Sequence, residues 1–231
     1  MFEIDHAPPG SISQVGSETP ADLLASVRRT AEGFFAKAHG SHDWDHTLRV
    51  ARLCERIGPM EGADMLVVRM AAYLHDIGRA EQDRSHGAVC HAARGAELVQ
   101  SIVADLPLRQ DQRDNIVHCV RAHRFRDGFR PQTREAEVLF DADKLDAIGA
   151  VGVARAYQFA GELGACLHSD LSPEASSAYS RHDTGYREYI VKLSKIRDRI
   201  ITAEGRRLAA ERHAFMVDFF NRFIEEYEGR S

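Results

Sequence analysis

The sequence predicts an all-α fold, and three observations carry that reading. Apolar residues recur at helical spacing in one segment after another. Strand-like alternation persists nowhere. Gly, Pro, Ser, Thr and Asp gather between the periodic segments, where helices start and stop. At 231 residues, with 44% hydrophobic and 28% charged, the chain fits one fairly large domain that buries a core without staples.

Residues 1–18, with Pro8-Pro9-Gly10, several Ser and Gly16, read as a flexible N-terminal arm. Thr19-Pro20 has the form of a helix start, with Thr19 as N-cap and Pro20 first in the helix. Leu23, Leu24, Val27, Ala31, Phe34 and Phe35 follow at helical spacing. A second helix is expected from near Asp43 or Asp45, through Leu48, Val50, Ala51, Leu53 and Ile57, to Gly58-Pro59. A third, Ala63 to Ile77, is apolar on most sides after Met65, as suits a central helix, and Gly78 is expected to close it. Helical patterns over 85–105, 109–123, 134–147 and 151–165 complete a core spanning 19–168. Residues 169–184, rich in Ser, Pro and Asp, read as a surface loop. Two amphipathic helices, 185–202 and 204–228, are then expected to pack on the core within 185–231. The last shows Leu208, Phe215, Phe219, Phe220, Phe223 and Tyr227 along one face, which favours packing within the chain, as a monomer or a homodimer.

The net charge of −5 argues against broad nucleic-acid binding, while leaving room for a basic pocket around one phosphate-bearing ligand. Cys54, Cys90, Cys119 and Cys166 are scattered without a CxxC pair and read as reduced, mostly buried thiols. No apolar stretch approaches the ~20 residues that span a bilayer. Nor is a basic region followed by an apolar run present at the start. A cytoplasmic protein without a membrane partner is expected.

The chemistry lies in histidines and aspartates set in apolar helical frames. His75 and Asp76 stand side by side near the end of Met70-Ala-Ala-Tyr-Leu-His-Asp-Ile-Gly. Such a pair is costly to bury unless its charge is compensated. His46 lies upstream in Ser41-His-Asp-Trp-Asp-His-Thr-Leu-Arg-Val, and Asp143 downstream in Phe140-Asp-Ala-Asp-Lys-Leu-Asp. Imidazole and carboxylate together suit a divalent transition ion. Singly, each has an ordinary explanation: a helix-start histidine, a hydrogen-bonded pair closing a helix, a cap or an Arg partner. Jointly and in order, they point to a metal held by several helices.

These segments, with Arg121-Ala-His-Arg-Phe and Asp141-Ala-Asp-Lys-Leu-Asp-Ala-Ile-Gly, resemble the HD-domain metal-dependent phosphohydrolases over roughly residues 21–165. The subgroup most similar is one of small bacterial proteins with Mn-dependent pyrophosphohydrolase activity on nucleoside triphosphates. The resemblance implies an HD-domain helical bundle with a C-terminal helical extension. It also implies one metal on His46, His75, Asp76 and Asp143, with Mn expected and Fe, Co, Ni, Zn or Mg as other candidates. Asp143 is preferred to Asp141 and Asp146 because Ala-Asp-Lys-Leu is similar to the family's Ala-Asp-Arg-Leu. His91, His118 and His123 extend the site, since histidines in these regions hold a second metal in some branches and contact phosphate in others. His123 shares a face with Ile116 and Val120 and should point inward; His118 shares one with Arg121, which suits phosphate contact.

The reaction so implied is hydrolysis of a phosphate ester or anhydride of a nucleotide or similar small molecule by metal-activated water, steered by Asp76. Arg49, Arg79, Arg121, Arg124 and Lys144 are candidates to hold the phosphate. Branches similar to alarmone hydrolases, and some nucleotidases, carry an acidic residue where this chain has Arg79, which argues against both. Two other readings stay open. One is an HD-type di-iron oxygenase, needing His91 with His118 or His123 for a second ion; the other is a non-catalytic metal-containing ligand-binding module.

Overall fold

The computed structural model describes residues 19–36, 44–85, 87–124, 129–172 and 177–230; the arm expected over 1–18 lies outside them. Among the described residues the fold is all-α, with no strand. Helix α1 (Pro20–Phe34) starts as expected: the Thr19 side chain accepts from the Asp22 backbone N–H, and Asp22 reciprocates on Thr19. Helix α2 spans Trp44–Glu61 and α3 Met65–Leu74. Helices α4 (Arg79–Arg84), α5 (His91–Ala104), α6 (Gln110–Ala122), α7 (Arg134–Asp146) and α8 (Gly149–Glu162) follow. After a loop come α9 (Gly185–Val191) and α10 (Ala203–Tyr227).

The centre is α3. Val67, Val68, Met70, Ala71, Ala72 and Leu74 are all buried, and the helix packs against α1, α2, α6 and α7. Its sequence, apolar on all sides but that of Arg69, is what such a position requires. Asp64 caps it, accepting from the backbone N–H groups of Leu66 and Val67.

Several boundaries differ from expectation, each for a visible reason. Helix α2 does not stop at Gly58-Pro59. It runs on to Glu61, and Gly62 follows with a φ of 69° that lets the Ala63 N–H reach the Gly58 carbonyl at 3.1 Å. Gly78 does not close α3 either: the helix ends at Leu74, and Gly78, at φ −81°, leads into α4. What Gly78 provides is space, because a Cβ there would run into the His91 carbonyl and sit 2.7 Å from the Gly95 nitrogen. The helix expected over 85–105 starts only at His91, as α5, and a short helix that was not expected, α4, precedes it and ends before Ser85. The helix expected over 185–202 is α9 followed by two 3-10 turns, Leu193–Lys195 and Arg197–Arg199. Thr202 is the N-cap of α10.

Helix α10 is tied to α7. The Asp141 carboxylate accepts from the backbone N–H groups of Ile201 (2.9 Å) and Thr202 (2.6 Å) and from the Thr202 hydroxyl (2.7 Å). The helix buries Leu208, Ala209, Met216 and Phe220. The expected apolar face is therefore split: Phe215 and Tyr227, 44% and 49% exposed, lie along its outer margin. No helix of the described residues is long and apolar enough to cross a membrane.

Candidate metal centre

Helix ends build the centre. His46 lies in the first turn of α2, His91 opens α5, and Asp143 comes from α7. His75 and His123 are the C-cap residues of α3 and α6, and Asp76 follows His75. The two C-caps share one construction. His75 Nδ1 donates to the Ala72 carbonyl at 2.8 Å, and His123 Nδ1 to the Val120 carbonyl at 2.7 Å. Each ring is locked by its own last turn with Nε2 turned inward. The carbonyl ends of two helices also make the spot favourable for a cation.

Every imidazole is oriented in this way. His91 Nδ1 donates to Gln82 Oε1 at 2.8 Å, and His46 Nδ1 to Asp146 Oδ2 at 2.8 Å. The four Nε2 atoms converge on Asp76. His46 and His75 each lie 3.9 Å from its Oδ2, while His91 and His123 lie 3.3 and 3.5 Å from its Oδ1. His46 Nε2 is also 3.4 Å from both His75 Nε2 and Asp143 Oδ1. Two groups result, His46–His75–Asp143 and Asp76–His91–His123, each with its donor atoms within 4.8 Å of one another. Nitrogen and carboxylate donors at this spacing fit a divalent ion with bonds of about 2.1 Å.

The electrostatics favour a positive charge at His46, where a metal ion would displace a proton, and neutral rings at His75 and His91. Burial alone would lower His46, but the carboxylates of Asp143 and Asp146 overcome it and raise its pKa to about 9. Burial lowers His75 to about 4 and His91 to about 2, which keeps both neutral and able to ligate. Burial opposes ionisation of Asp143, yet Lys144 and His46 hold it well below the usual carboxylate range. Asp146, likewise buried, is brought to about 2 by His46 and Arg49.

The HD domain family profile matches residues 43–148. The uncharacterized protein YpgQ of Bacillus subtilis is 31% identical over 208 residues, covering 88% of this chain and 93% of its own. The chain belongs to the HD-domain family of metal-dependent phosphohydrolases. Its fold matches the crystal structure of B. subtilis YpgQ in complex with ADP, at a TM-score of 0.67 and 30% identity over 92% of this chain and 100% of that one. A predicted HD superfamily hydrolase from an uncultured Thermotogales bacterium matches at a TM-score of 0.61 and 25% identity, over 90% and 92% of the two chains.

In this HD domain, His46, His75, Asp76, Asp143, His91 and His123 come together. His118 does not join them: its Nε2 accepts from the Gln132 backbone N–H at 3.0 Å, away from both groups. Of the cationic candidates, Arg79 Nη2 lies 3.2 Å from Asp76 Oδ2, and Lys144 Nζ lies 2.6 Å from Asp143 Oδ2. Arg124 reaches Gln82 and Cys90 beside His91. Arg49 faces Asp45 and Asp146, behind His46. Arg121 is turned the other way, over the ring of Phe129 and beside Glu97 and Gln100.

Sequence reasoning missed the residues that orient the rings. Asp146, weighed only as an alternative ligand, holds His46 and is itself held by Arg49 and Arg155. Gln82 carried no signal, since its partner is brought to it by the α4–α5 turn. The carbonyls of Ala72 and Val120 were readable in principle, because a histidine at a helix C-cap reaches back three residues to one.

Proposed function

We propose that the chain is a divalent-metal-dependent phosphohydrolase cleaving a phosphate ester or anhydride of a nucleotide or similar small molecule. The observation that carries this reading is the meeting, at Asp76, of an imidazole–carboxylate group with the guanidinium of Arg79. Ligands for a hard or borderline cation and a donor for an anion share one buried spot. That YpgQ has been crystallised with ADP supports a nucleotide ligand.

His46, His75, Asp76 and Asp143 would hold the ion, with Mn favoured. When bound, it supplies hydroxide near neutral pH and withdraws charge from the phosphoryl group. Asp76 turns one oxygen toward each group and can orient the attacking water by accepting its hydrogen bond. His123, donating through Nδ1 to Val120, presents an Nε2 that can take a proton or pass one to the leaving oxygen. Arg79 and Lys144 offset the charge that develops on the phosphoryl oxygens. Four free cysteines, two of them buried, fit the reducing cytoplasm.

The test is phosphate and pyrophosphate release from a nucleotide panel with Mn or chelator, for wild type and a folded Asp76→Ala variant. Metal-dependent release lost in the variant supports the reading; no release from metal-loaded protein removes it. A second reading, the di-iron oxygenase, draws on the Asp76–His91–His123 group. Substrate-dependent oxygen consumption by iron-loaded protein would favour it.

A further inference from the structure

We propose that Arg79 takes the part of a second cation at the Asp76–His91–His123 group, so that this chain works with one metal ion rather than two. The inference deepens the phosphohydrolase reading, and rests on it for the anion that Arg79 meets. The spacing of the group would by itself accept an ion, with His91 Nε2 and His123 Nε2 3.1 Å apart and Asp76 Oδ1 at 3.3 and 3.5 Å from them. But Arg79 Nη2 stands 3.4 and 3.2 Å from the two Asp76 oxygens and 3.5 Å from His91 Nε2. The guanidinium thus faces two of the three residues a second ion would need. A dication on those atoms would meet it in a buried place where charges are poorly screened. Arg cannot escape by losing its proton.

The cation beside the other group is placed differently. Lys144 contacts Oδ2 of Asp143, while Oδ1 is the oxygen turned toward His46. One group keeps its donor atom clear of the neighbouring cation, and the other does not.

Arg79 is also held where it is. It opens α4, its side chain is only 17% exposed, and α4 is fastened to α5 by Gln82 on His91 and by Glu81 on Arg94 at 2.8 Å. Its Nε is buried without a hydrogen-bond partner in the protein, which leaves a donor for an anionic oxygen. His91 and His123, relieved of ligation, become groups that contact the phosphate, and a di-iron centre has no second seat.

The test is a metal count. Protein loaded anaerobically with excess Mn(II) or Fe(II) and desalted is measured by mass spectrometry of the metal, and for Mn by electron paramagnetic resonance. Wild type should hold about one ion per chain, and Arg79→Lys the same, whereas Arg79→Gln and Arg79→Glu should rise to about two, with the coupled signal of paired Mn. His91→Ala should leave the wild-type count unchanged. Two ions in wild type, loss of an ion in His91→Ala, or a folded Arg79→Glu still holding one would each overturn the inference. The count needs no turnover: one ion rising to two in Arg79→Glu, without phosphate release from any substrate, would keep it while removing the phosphohydrolase reading.

Discussion

His46 and Asp146 stand 100 residues apart in the chain and meet through one buried hydrogen bond, Nδ1 donating to Oδ2 at 2.8 Å. The other three imidazoles of the centre donate to neutral oxygens, on Ala72, Gln82 and Val120. His46 alone has a carboxylate behind it, which makes its Nε2 the most basic donor of the set. Arg49 and Arg155 keep that carboxylate ionised and fixed.

Metal affinity should therefore depend on a residue that does not reach the metal. Asp146→Asn should weaken Mn binding by roughly 10–100-fold, the usual cost of losing a partner behind a ligating histidine. Mn titration followed by electron paramagnetic resonance checks this, with circular dichroism showing that the variant is folded.

Asp141 and Asp143 should separate stability from metal. Asp141→Ala removes the carboxylate that accepts from Ile201 and Thr202, and should lower stability by about 2–4 kcal/mol with metal still bound. Asp143→Ala should empty the centre while costing much less stability in chelator. Urea denaturation and metal content, measured on both, give the comparison; loss of metal in the Asp141 variant alone would reverse the assignment.

Lys144 should act on substrate more than on fold. Its Nζ spans Asp143 Oδ2 and the His123 carbonyl, at the edge of the centre. Lys144→Gln should raise KM for a phosphate substrate by about tenfold with metal occupancy retained. Steady-state kinetics beside a metal count would show it.

The anchoring of α10 should be acid-sensitive. Glu204, paired with Arg207 and Arg56 at the helix start, has its pKa lowered from 4.5 to about 2, with the Arg207 hydrogen bond the largest cause. A lowered carboxylate pKa stabilises the fold above the unfolded value, and that support fades as pH falls through the folded one. The Tm gap between wild type and Glu204→Gln should be widest near neutral pH and close between about pH 4.5 and pH 2, as thermal melts in chelator would record.

The helical fold and four residues of the candidate centre were legible because their signals are local. An N-cap such as Thr19, the largely apolar stretch of α3 and the His75-Asp76 doublet at a helix end all act within a few residues. Boundaries failed where the deciding partner was remote. Gly78 resembled a helix stop, but it is required by the backbone of α5, which passes close against it.

The sequence by itself determined which side chains can carry the chemistry and that helices would present them. Only the tertiary structure decided their roles. Asp141, Asp143 and Asp146 share one helix and one residue type, yet one fastens α10, one faces Nε2 of His46 within the candidate centre and one stands behind that ring. His118 and His123 both belong to the α6 region, and only His123 reaches the centre. Arg79 follows the doublet closely, but its contact with His91 depends on how α4 folds back onto α5. The physical reason is the same in each case. A helix sets the direction of its side chains within a turn, whereas a ligand, a carboxylate partner or a competing cation is defined by what another helix brings to it.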